Sequence, residues 1–97
     1  MTKEEFCIMP ENPYYSINRF SGSHRHEVFF GVNRQKSIKY GLVVFLTPEL
    51  HNMSNKGVHF NKELDNYLKK IGQEAAMKYY GWSKEDFIKI FGRNYLD

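Results

Sequence analysis

Tyr40-Gly41-Leu42-Val43-Val44-Phe45-Leu46-Thr47-Pro48 is the stretch that decides the fold. Leu42 to Leu46 is an unbroken apolar run, rich in β-branched and aromatic residues. Thr47-Pro48 stops it, because proline has no N–H to give to a sheet. The run predicts a buried strand over 42–46. Upstream, His24-Arg25-His26 leads into Glu27-Val28-Phe29-Phe30, which predicts another strand over 24–30. The polar, basic stretch from Gly31 to Tyr40 reads as a loop between them. The two strands are expected to pair as an antiparallel hairpin.

Working outward, Pro10, Asn12, Pro13, Asn18, Ser21, Gly22 and Ser23 are turn formers, so residues 1–23 read as a loop-rich N-terminal segment. Residues 48–60 hold histidines, asparagines and Gly57, and predict a short helical turn followed by a loop. Asn61 is a suitable N-cap for a helix over 62–79. Leu64, Tyr67, Leu68, Ile71, Ala75 and Tyr79 recur there at helical spacing, and Gly81 fits the C-terminal cap. Ser83, with Asp86 three positions on, opens another helix that Gly92 ends. Tyr79, Tyr80, Trp82 and Phe87 are expected to form core between the two helices. The order is that of an α+β domain: a small antiparallel β-hairpin followed by α-helices. One domain over 1–97 is expected, with a central unit at 24–60 and C-terminal helices over 61–97.

The chain has 97 residues, 41% of them hydrophobic and 16% aromatic, enough for one modest core. No apolar run approaches the roughly 20 residues of a membrane-spanning helix. The opening Met1-Thr2-Lys3-Glu4-Glu5-Phe6 is acidic where a signal peptide is basic and then apolar. A cytoplasmic location and no membrane partner are therefore expected. Cys7 is the single cysteine, which excludes an intrachain disulfide. The formal net charge of +3 leans weakly toward polyanionic partners.

All four histidines, His24, His26, His51 and His59, fall around the two strands. In an antiparallel hairpin the start of one strand lies beside the end of the other, so the pair 24/26 and the pair 51/59 converge. Glu27, Glu49, Asn33, Asn52 and Asn55 add oxygen donors suited to a hard divalent cation. A hydrolytic nuclease needs a base for water and a metal for the scissile phosphate, and histidine titrates near neutrality. Four ordinary surface or half-buried histidines are the competing reading.

His24-Arg25-His26-Glu27-Val28-Phe29-Phe30-Gly31-Val32-Asn33-Arg34-Gln35-Lys36-Ser37 resembles the first strand and following loop of a family of HNH (His-Me finger) nucleases carried by phages of Gram-positive bacteria. Tyr40 to Ser54 resembles that family's second strand and metal-bearing turn. Gly57 to Asp65 and Phe87 to Leu96 extend the similarity, so it covers about residues 24–96. It points to the recombination-enhancement, RecA-dependent nuclease type.

The resemblance implies a ββα-metal fold and a DNA endonuclease or nickase dependent on Mg²⁺ or Mn²⁺. It places the catalytic pair on His26 and Glu27, and the metal on His51, with Glu27, His59 and Asn52 as further ligands. The usual base position holds Glu27, so the base is either His26 or His24, or Glu27 acts as a ligand or weaker base. Gly41 stands where many relatives carry the central asparagine, and Asn33 is the nearest substitute. Arg34, Lys36, Lys39 and Asn33 are expected to contact nucleic acid, while Lys69, Lys70 and Lys78 read as plain helix surface. Relatives often bind a structural zinc, but Thr47 and Leu50 occupy ligand positions and Cys7 has no nearby partner. No structural Zn²⁺ is therefore expected. The alternative is a catalytically decayed module that binds nucleic acid, or a host recombination or defence protein, without cleavage.

Overall fold

The computed structural model describes residues 6–47 and 62–96. β1 (His24–Glu27) and β2 (Val43–Leu46) form the expected antiparallel pair, with His24 opposite Leu46 and Glu27 opposite Val43. Between them lies a 3₁₀ turn (Gly31–Asn33) and a helix, α1 (Arg34–Tyr40), where a loop is expected. α2 (Lys62–Tyr80) and α3 (Lys84–Phe91) follow. The result is a small α+β unit, a hairpin followed by helices. Among the described residues no helix is long and apolar enough to cross a membrane.

β1 is shorter than the apolar pattern suggests, and the reason is local. The side chain of Ser37, fully buried in α1, serves both backbone groups of Phe29. Its Oγ donates to the Phe29 carbonyl at 2.7 Å and accepts the Phe29 N–H at 3.0 Å. Phe29 therefore leaves the ladder with its polar groups satisfied, as buried backbone requires. Its ring meets Phe91, Tyr95 and Phe87 at centroid distances of 4.8, 5.1 and 5.4 Å.

α1 ends at Gly41, whose φ of +79° closes the helix in the left-handed region. Arg34, Gln35, Lys36 and Lys39 are good helix formers; it is their polarity and the charge of Arg34, Lys36 and Lys39, not their propensity, that suggest a loop. α3 opens on the expected capping box: Ser83 Oγ accepts the Asp86 N–H, and the Asp86 carboxylate accepts the Ser83 N–H.

The buried line of α2 differs from the apolar stripe read in the sequence. Leu68, Gly72, Gln73 and Ala76 are buried, whereas Tyr67 and Tyr79 are exposed. Leu64 and Ile71 pack at the margin of the core, and Ala75 faces a groove beside Ile8 and Pro10. Gly72 sets this rotation. A Cβ there would lie 3.1 Å from both Phe29 Cε2 and Val28 Cγ1, so the missing side chain lets the helix approach the Phe29 ring closely.

Two outcomes test the packing. Gly72→Leu should destabilise the fold by roughly 1–3 kcal/mol through overpacking, whereas Tyr79→Ser should stay within about 0.5 kcal/mol; thermal denaturation reads both. Asp86 gives a pH signature. The hydrogen bond from the Ser83 backbone, followed by that from its side chain, holds the Asp86 carboxyl below its ordinary 3.8. The folded value lies below the unfolded one, so the cap's contribution is full above about pH 4 and is lost as pH falls through the lower value. Acid denaturation of Asp86→Asn should lack that component.

Candidate functional site

The open end of the hairpin holds His24, opposite Leu46, the last residue of β2. His51, Asn52 and His59, three of the expected metal-binding residues, lie outside the described residues. The first-strand residues are described, and they part company. Consecutive residues of a strand point to opposite faces.

His26 points inward: it is 1% exposed and its ring lies against Phe30, 5.7 Å between centroids. Glu27 points to the other face with Arg25. Glu27 Oε2 accepts from Arg25 Nε at 3.0 Å and Oε1 accepts from Arg34 Nε at 3.3 Å. Both carboxylate oxygens are thus held by guanidinium groups. His26 and Glu27, adjacent in sequence, do not aim at one shared ion.

The inner face continues onto α2. The Lys69 ammonium sits 4.4 Å from the Phe30 ring centroid and pairs with Asp65 Oδ2 at 3.0 Å. Oδ1 of Asp65 is buried and makes no hydrogen bond among the described residues. In the sequence Lys69 reads as helix surface, because it lies away from the apolar stripe of the helix. Nothing in the pattern shows that Phe30 reaches it. Among the described residues, no three His, Cys, Asp or Glu side chains gather as a ligand set.

The four residues assigned to nucleic acid each have an internal engagement. Asn33 Nδ2 donates to the Phe91 carbonyl at 3.0 Å, and Lys36 Nζ donates to the Ile90 carbonyl. Together they cap the C-terminus of α3, where donors and positive charge complement the unsatisfied carbonyls. Arg34 is on Glu27, and Lys39 lies over the Tyr40 ring at 5.3 Å.

Gly41 also has a structural role. Besides its left-handed φ, a Cβ would meet Phe6 Cε2 at 2.9 Å, and the Gly41 carbonyl accepts the Ile8 N–H at 2.8 Å. An asparagine there would clash with the N-terminal segment. Cys7 is half-buried and donates its thiol to the Val43 carbonyl at 3.0 Å. Burial pushes that thiol up, against the backbone hydrogen bonds at Met9 and Val43 that lower it.

The capping contacts make a prediction that separates structure from binding. Asn33→Ala should cost about 1 kcal/mol of stability by leaving the Phe91 carbonyl short of a donor. Urea denaturation should show a lower midpoint with an unchanged slope.

Comparison with known proteins adds no relative: no family model, no curated protein and no solved structure matches the chain.

Proposed function

We propose that the chain is a nucleic-acid-binding module of HNH-like layout in which the first-strand His–Glu pair serves the fold rather than hydrolysis. One observation carries this reading. Both oxygens of Glu27 are taken by Arg25 and Arg34, on the face opposite the buried His26. A general base must reach its water, and a metal ligand must offer an oxygen. The described donors do neither together. The net charge of +3 suits a phosphate backbone. A host recombination or defence protein is the alternative partner.

Metal-dependent endonuclease or nickase activity is the second reading. It is favoured by the hairpin-then-helix order and by His24 lying opposite the last residue of β2.

One experiment decides between them. Purified protein is incubated with supercoiled plasmid, single-stranded DNA and branched DNA in Mg²⁺ or Mn²⁺, and binding is followed in parallel by anisotropy. The binding reading expects affinity that falls with salt and no turnover in either metal. Cleavage that vanishes in EDTA and in His51→Ala would overturn it in favour of the nuclease. Glu27→Gln is expected to leave binding within about threefold and to cost stability, less than about 1 kcal/mol for each partly exposed ion pair.

A further inference from the structure

α2 carries an apolar line besides the one that meets the hairpin. Ile71 and Ala75 form one wall of a groove of about 740 Å³, and Ile8 and Pro10 of the N-terminal segment form the other. An aromatic pair stands at each end. Phe6 meets Tyr79 at 6.2 Å between ring centroids, and Tyr14 meets Tyr67 at 5.9 Å. Asn12 Nδ2 donates to the Tyr67 hydroxyl at 3.0 Å, so that end is held in place from within the chain. Tyr79 keeps 61% of its surface exposed despite its contact with Phe6. Apolar and aromatic surface gathered in one groove marks a site that a protein partner covers.

The charges on the groove say which partner. Glu74 and Lys78 line it together, spaced i, i+4 with the glutamate first, the order that favours pairing within a helix. They nevertheless form no ion pair with each other or with any other described residue. One acid beside one base suits neither an acidic nor a basic partner. It suits the same stripe read in the opposite direction, as a twofold interface requires. A twofold axis crossing α2 at the height of Ala75 and Ala76 sets two copies of the helix antiparallel. Glu74 then comes level with Lys78 of the partner subunit to within one residue's rise, about 1.5 Å, and the symmetry repeats the contact. The same axis brings Tyr79 level with Ile71 of the partner subunit. Ala75 sits at the crossing, where a small side chain lets two helices approach closely.

We propose that this groove is the interface of a symmetric homodimer, in which two α2 helices cross antiparallel and Glu74 and Lys78 pair reciprocally between copies. A dimer through α2 is compatible with either functional reading above.

Sedimentation equilibrium of the full chain, up to about 1 mM, tests it. Wild type is expected to pass from monomer to dimer with a midpoint below about 100 μM, the range of weak specific association. Glu74→Lys and Lys78→Glu each replace two opposite-charge contacts with two like-charge ones, and each should weaken association at least about tenfold. Both positions are exposed, so melting curves should match wild type. An equimolar mixture of the two variants should recover a dimer within about threefold of wild type. One copy then carries lysine at both positions and the other glutamate at both, and no role inside a single chain produces that recovery. Tyr79→Ser should also weaken association, by at least about threefold. Wild type that stays monomeric throughout would overturn the proposal. So would a dimer that both charge variants leave unchanged, or that their mixture fails to restore. A monomer that binds anilinonaphthalene sulfonate, and loses it in Tyr79→Ser, would give the groove to a small apolar ligand and overturn the proposal as well.

Discussion

Every described element of this fold depends on Phe29 being allowed to leave its strand. A residue that departs from a sheet in the interior strands one N–H and one carbonyl, at a cost of about 1–3 kcal/mol for each unsatisfied group. Ser37 removes that cost with a single hydroxyl that both accepts and donates. The ring is then free to enter the aromatic cluster of α3 and the tail, and Gly72 opens space for it on α2. One buried serine thereby ties β1, α1, α2 and α3 to a common centre.

The parts of this arrangement that are legible in the sequence are those coded locally. The Leu42–Leu46 run, the span of α2 and the Ser83–Asp86 box each announce themselves within a few residues. α1 is not legible, because a seven-residue basic segment looks the same as a solvated loop until its partners are known. The buried side of α2 is displaced from the apolar stripe for a related reason. Apolar residues mark the stripe through Leu64, Tyr67, Leu68, Ile71, Ala75 and Tyr79; Leu68 lies on the contact line, yet from there that line runs through a glycine and a glutamine. Close approach there is made by absence of a side chain, and hydrophobicity does not register absence.

The candidate site shows the same limit from another side. His26 and Glu27 look like a unit because they are neighbours in the chain, and a strand separates neighbours. Once Glu27 faces Arg25 and Arg34, its carboxylate closes a small ion cluster that braces α1 against β1. Asn33 and Lys36 are similarly spent on α3. Charge in the sequence locates candidates, but only the contacts say which of them are already occupied at home.

The bonds from Asn33 and Lys36 to the last carbonyls of α3 carry a consequence for how the molecule comes together. Seven residues are too few for a helix to persist alone in water, where roughly a dozen or more are needed. α1 must therefore wait for α3, which lies more than fifty residues further along the chain than Asn33 does. The two helices should behave as one cooperative unit, opening and closing together, so their amides should share a common protection against hydrogen exchange. A ribosome releasing this chain would expose α1 long before its partner, leaving the hairpin's crossover unformed until α3 emerges.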